Sequence, residues 1–329
     1  SARFLVLRKK GGFMASKQKR LTIGEVFGLV SRESWKQALR GIRGDSTTPK
    51  HRWGLSTLRI LKPITSIKTW MGFGRADRRI SIYNYFNRTP VSHKDGYSIC
   101  VSQVQDYRGG SLTYDSHQGT DFIIPLGTPV AAAAPGLVVR VEREFDRGGL
   151  CVMLLHEHGL STTYNHLGRP LVEVGKRVRR GELIALSGAS GIDFVASMFL
   201  SPPHVHFNTW LDGVAVDPFA RVGETSLWRR NEDPVPYQGE GRIEGELDVD
   251  SIFSEQVVEE VIETCLDGDL ARQLRASPCL AQRAANVIYQ RNYRPSKFQD
   301  FRSLYLVSHP RRSHFDLPFL AEHVAGIHF

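Results

Sequence analysis

Apolar positions change their spacing twice along the 329-residue chain. From Ile23 to Leu39 they recur in short helical patches, with turn signals further on at Gly54, Pro63 and Gly72. From about residue 86 to 222, β-branched runs take over, punctuated by Gly and Pro: Thr128-Pro-Val-Ala-Ala, Gly136-Leu-Val-Val-Arg-Val, Cys151-Val-Met-Leu-Leu and Ser161-Thr-Thr-Tyr. Such runs, closely bounded by breakers, predict a strand-rich domain. Helical spacing returns at Val257, Val258, Val261, Ile262 and Leu266, with Gly268 as a stop. A second helical pattern follows Pro278 through Leu280, Ala284, Val287 and Ile288. The pattern predicts a mainly β protein with its core at 86–222, a basic N-terminal region at 1–85, and an acidic, then helical, C-terminal extension at 223–329.

Charge sharpens that division. Residues 1–100 carry 21 Lys and Arg against 5 Asp and Glu, whereas 224–269 carry 14 acids against 3 Arg. A basic region of this strength implies either a solvated surface or an anionic partner such as nucleic acid, a membrane surface or an acidic wall polymer. It contains no helix-turn-helix, zinc-finger or RNA-binding signature. With 41% hydrophobic residues the chain can bury a full core, and no stretch approaches the roughly 18 to 20 uncharged apolar residues of a membrane-spanning helix. The first thirty residues hold seven Lys and Arg with no apolar block after them, so no secretory signal is visible. Either the protein stays inside or a signal was removed upstream of Ser1. Cys100, Cys151, Cys265 and Cys279 form no C-x-x-C pair, which removes zinc-ribbon and thioredoxin-like readings and leaves them as buried or free thiols.

The candidate chemistry lies inside the β region, in four short motifs: His117-Gln-Gly-Thr-Asp121, Tyr164-Asn-His166-Leu, Gly175-Lys-Arg-Val-Arg-Arg-Gly181 and His204-Val-His206. Phe207 and Trp210 beside the last motif suggest a strand, on which His204 and His206 would project from one face about 6.5 to 7 Å apart. Both can serve one metal, or one can bind it while the other flanks it. His117 and Asp121 would lie about 13 Å apart on an extended strand, too far for one ion, unless the chain bends at Gly119. Two histidines and one carboxylate leave tetrahedral zinc an open position, as catalytic sites require. Alone, each motif is common by chance; the ordered set is not.

In that order the motifs resemble the M23 family of zinc metallopeptidases, the lysostaphin or LytM type, over residues 117–219. The matching elements are H-x-G-x-D at His117 to Asp121, Y-x-H-L at Tyr164 to Leu167, V-G-x-x-V-x-x-G-x-x-I at Val174 to Ile184, and P-H-V-H-F at Pro203 to Phe207. The resemblance implies a small antiparallel β-sheet metallopeptidase core that cleaves peptide cross-links of bacterial peptidoglycan or other short peptides, in the periplasm or outside the cell. It also implies zinc held by His117, Asp121 and His206, with His166 and His204 as catalytic histidines outside the ligand set. His156 and His158 stay structural. The histidine-bearing motifs contain no glutamate, which separates them from H-E-x-x-H enzymes. Departures occur after Gly191, where an apolar segment runs from Ile192 to Pro203 as a groove wall or a packing surface, and at Asn208, where the family often has Glu or Gln. The alternatives are a non-catalytic M23-like binding or regulatory module of the cell envelope and a lipoyl-like carrier; the carrier lacks a Met-Lys-Met turn.

Overall fold

The computed structural model describes residues 20–44, 61–88, 101–102, 113–114, 116–192, 194, 200–239 and 252–329. In chain order the helices are α1 (Ile23–Phe27), α2 (Arg32–Arg43), α3 (Pro63–Trp70), α4 (Glu255–Glu263), α5 (Gly268–Arg275) and α6 (Leu280–Tyr293). The strands are β1 (Arg79–Asn84), β2 (Asn87–Arg88), β3 (Val101–Ser102), β4 (Thr113–Tyr114), β5 (Ser116–His117), β6 (Gly119–Ile123), β7 (Pro129–Ala131), β8 (Gly136–Glu144), β9 (Gly149–Leu155), β10 (Leu160–Pro170), β11 (Arg177–Val178), β12 (Leu183–Ser187), β13 (His204–Leu211), β14 (Val214–Val216), β15 (Pro236–Tyr237), β16 (Leu317–Leu320) and β17 (Gly326–His328).

Eleven of these strands share one sheet, whose main path runs β11-β8-β9-β10-β13-β6-β1-β17, with β12, β7 and β14 attached to its side. Every pair in it is antiparallel except β1 with β17, so the mainly β, antiparallel reading holds. Both faces of the central strands are buried, which explains the unbroken apolar run in β9. Leu150, Val152 and Leu154 join one core with Tyr164, Phe207 and Trp228, whereas Cys151, Met153 and Leu155 face the other, which α4 to α6 cover with Val258, Val261, Ala284 and Ile288. A buried ionic lattice fastens α6 and the residues after it to the sheet: Arg140 pairs with Glu144 at 2.9 Å, Gln290 donates to Glu144 at 2.7 Å and Arg294 pairs with Asp146 at 2.9 Å.

Several local expectations change. The patch from Ile23 to Leu39 is two helices, because Gly28 ends α1 in a left-handed conformation (φ 76°) and Ser31 caps α2. Pro63 opens α3 at its first turn, where its missing N–H has no intrahelical partner to lose. Gly268 is no stop: α4 ends at Thr264, and Gly268 begins α5 behind an Asp267 cap that accepts from the backbone N–H groups of Asp269 and Leu270. Cys151, Cys265 and Cys279 are free thiols, and Cys100 lies outside the described residues.

Candidate metal centre

β13 runs between β10 and β6, with His206 opposite Asn165 on one side and opposite Asp121 on the other. His204, His206, Asn208 and Trp210 alternate with Val205 and Phe207, which go to the opposite core, so the sheet face that α6 covers at Trp210 carries both histidines toward its other end. His117 ends β5, and Gln118 separates it from β6, which carries Asp121. Gly119 is needed for closeness: a Cβ there would lie 2.7 Å from the Phe207 carbonyl oxygen and 2.8 Å from His206 Nε2.

Three side chains converge. His206 Nδ1 lies 2.7 Å from Asp121 Oδ1, and His117 Nε2 lies 3.1 Å from both Asp121 Oδ2 and His206 Nδ1. His117 Nδ1 donates to the Tyr85 carbonyl at 2.8 Å, so in the neutral ring Nε2 presents a lone pair to the carboxylate. Two acceptors at that distance in a buried site require a proton or a cation between them. Ligands about 2.0 to 2.2 Å from one ion stand roughly 3 Å apart, which these distances match. Among the described residues this trio can hold a metal ion, and its donor set suits zinc.

His166 and His204 complete the cluster. Their ring centroids are 4.8 Å apart, and His166 lies 5.9 Å from His206. His166 Nδ1 donates to Ser190 O at 2.8 Å and His204 Nδ1 to Pro202 O at 2.9 Å, so each ring has its other nitrogen, Nε2, for chemistry. His166 would point to the wrong face if β10 alternated regularly; its left-handed backbone (φ 60°), at a register shift between Tyr164 and Leu167, turns it toward the other histidines. Burial lowers the pKa of His206, against its bond to Asp121, and that of His204; burial and the neighbouring histidines hold His166 well below the usual range. Burial would raise Asp121, but His117 and His204, with hydrogen bonds from His117 and His206, outweigh it and hold the carboxyl well below the usual range.

Residues 115–218 match the family model of peptidase family M23. This segment is an M23 peptidase domain. A protein of Haemophilus influenzae named an uncharacterized metalloprotease is 41% identical over 102 residues, which are 31% of this chain and 20% of that protein. The peptidoglycan DD-endopeptidase ShyB of Vibrio cholerae is 34% identical over 139 residues, 42% of this chain and 30% of that protein. The chain thus spans under a third of the length of either relative. Among solved structures, the catalytic domain of lysostaphin from Staphylococcus simulans shares 25% identity, covering 42% of this chain and 89% of that one, with a TM-score of 0.31.

All five motif residues of the M23 domain come together, and His156 sits apart, its Nδ1 donating to Pro135 O and its Nε2 accepting from Thr162. Burial lowers the pKa of His156 to about 3, which suits a neutral structural ring. Other contributors carried no motif. Phe194 packs on His166 and His204 at 5.1 and 4.9 Å between centroids; of the apolar segment that contains it, residues 195–199 lie outside the described residues. Asn208 donates to Gln118 O at 2.8 Å and accepts from Tyr293 at 2.6 Å, while Gln118 donates to Asn292 O at 3.0 Å. The end of α6, far outside the M23 segment, therefore ties together the residues beside His117 and His206. Only the departure at Asn208 hinted at this in the sequence.

Proposed function

We propose that this chain is a zinc-dependent endopeptidase that cleaves peptide cross-links of peptidoglycan. The observation that carries the reading is the convergence of His117, Asp121 and His206 with two further imidazoles whose Nδ1 atoms are already committed to carbonyl oxygens. The names of the curated relatives, a metalloprotease and a peptidoglycan DD-endopeptidase, support the substrate class. In this reading His117 Nε2, Asp121 and His206 Nδ1 hold zinc, which when bound acidifies water and polarises the scissile carbonyl. His166 and His204 do the rest. Kept neutral by burial with the proton on Nδ1, each imidazole presents an Nε2 lone pair; one takes a proton there from the attacking water and returns it to the departing amine, while the other accepts a hydrogen bond from that water and orients it. The Ser190 and Pro202 carbonyls orient both rings for these transfers.

The test is digestion of purified peptidoglycan by the full chain with and without a chelator, reading new termini by mass spectrometry. New amino and carboxyl ends at cross-link bonds, lost with chelator and restored by zinc, are expected. Unchanged peptidoglycan with a fully zinc-loaded chain would leave the domain as a binding module.

A further inference from the structure

Amphipathic helices on a folded domain normally turn their apolar stripe inward. Two helices near the basic end of this chain do the opposite. On α2 the buried positions are Ser34 and Gly41, and Gly41 is so close to the domain that a Cβ there would lie 2.5 Å from Ile192 Cδ1. Trp35, Leu39 and Ile42, at i, i+4 and i+7, are 58%, 51% and 62% exposed. On α3 the buried positions are Ser66 and Thr69, while Ile64, Ile67 and Met71, in α3 and at its cap, are 73%, 57% and 59% exposed. Small and polar residues pack inward, and the large apolar ones meet solvent. Both helices lean on one short stretch of the M23 domain, α2 at Ile192 and α3 through Trp70, whose ring lies 6.2 Å from that of Phe194.

The charge around these stripes has one sign. Residues 29–44 and 61–75 hold seven Lys and Arg against one acid, Glu33, which pairs with Lys36 at 3.6 Å. A second copy of this face would oppose like charges, which argues against self-association. Helices of 12 and 8 residues are too short to span a bilayer, for which about 20 residues are needed, but a basic helix with Trp and Leu on its apolar side suits the headgroup boundary. We propose that the outward faces of α2 and α3 form a docking surface for an anionic lipid bilayer. Trp35, Leu39, Ile42, Ile64, Ile67 and Met71 enter the headgroup layer, and Arg32, Lys36, Arg43 and Lys68 meet lipid phosphates. Trp70 and Phe194 then link the lipid-facing surface to His204, so bound protein works beside the membrane.

Co-sedimentation of the full chain with vesicles of phosphatidylcholine, alone or mixed with phosphatidylglycerol, tests this. Anionic vesicles should bind at least tenfold more tightly than neutral ones, with Trp emission shifting to the blue, a shift that Trp35→Phe removes. Raising salt from about 0.1 M to about 1 M, which shortens the screening length from about 10 to about 3 Å, should release most of the protein. Trp35→Glu with Leu39→Glu should weaken binding at least tenfold while keeping the melting temperature, since both side chains point outward. If that variant does not fold, Ile64→Glu with Ile67→Glu serves instead. No binding to anionic vesicles overturns the proposal. So does wild-type binding by a folded variant, which would reduce the effect to diffuse basic charge, and so does self-association that the same substitutions abolish in the absence of vesicle binding.

Discussion

Replacing Tyr293 with Phe removes one oxygen and leaves the ring, which stays stacked on Tyr289 at 4.5 Å and against Trp210 at 6.3 Å. That oxygen donates to Asn208 Oδ1 at 2.6 Å and accepts from Asn165 Nδ2 at 2.8 Å. Neither amide is orphaned by its loss, because Asn165 still reaches Asn208 at 3.1 Å and Asn208 still accepts from Thr163 at 2.7 Å. The cost is then two net hydrogen bonds at about 1 kcal/mol each, without the heavier penalty of a stranded buried group. A total of about 2 kcal/mol caps what can reach the metal at roughly thirtyfold in affinity. Asn208 keeps its bond to Gln118, so only part of that is transmitted, and zinc affinity should fall about three- to tenfold, toward the low end for outer-shell partners. The assay is competition against a chromophoric chelator, with the visible spectrum of the cobalt-loaded protein as a second readout of ligand geometry. A drop in melting temperature with unchanged metal affinity and an unchanged cobalt spectrum would show that α6 merely packs on the sheet, and would refute the coupling.

His206→Ala should lose zinc and activity together, whereas His204→Ala and His166→Ala should keep the metal and lose activity by about a hundredfold or more; metal analysis with turnover assays separates the roles, and the reverse pattern would exchange the two residues of His204-Val-His206. Gly119→Ala forces a Cβ within 2.7 Å of the Phe207 carbonyl, so β6 and β13 must separate, and a stability loss of about 1 to 3 kcal/mol with reduced zinc occupancy should appear on denaturant titration. Burial pushes Asp217 up to about 7 against the pull of the Phe219 N–H, Arg221 and Arg311, so its share of stability is full below the unfolded carboxylate pKa of about 4 and is lost as pH rises through about 7. Asp217→Asn should therefore gain at least about 1 kcal/mol on the wild type between pH 5 and pH 8; equal differences at both pH values would remove Asp217 as the cause.

The candidate metal trio was legible because its chemistry is local in type even where it is long-range in space: His117, Asp121 and His206 sit in dense motifs on strands whose breakers are visible. The α6 contribution was not. Tyr293 is one aromatic in an ordinary helical pattern, and nothing in its neighbourhood tells that the helix ends against Asn165 and Asn208. The continuous apolar run in β9 identified a strand but not what covers its second face, since a two-sided strand and its covering helices are separated by some 100 residues. For α1 and α2 the period was correctly helical, but the sign of the amphipathicity misleads: Trp35, Leu39 and Ile42 would be assigned to a core, and it is Ser34 and Gly41 that touch one.

The left-handed backbone at His166 has a consequence for how this domain can be improved. An L-residue held there forgoes about 1 to 2 kcal/mol relative to glycine, and histidine is tolerated better than a bulky or β-branched side chain. Selection for thermal robustness alone would therefore drift toward glycine at this position, removing the strain and the imidazole together. Under the proposed mechanism the most direct stabilising change in β10 is thus an inactivating one, and stabilised versions that stay active must gain their stability elsewhere.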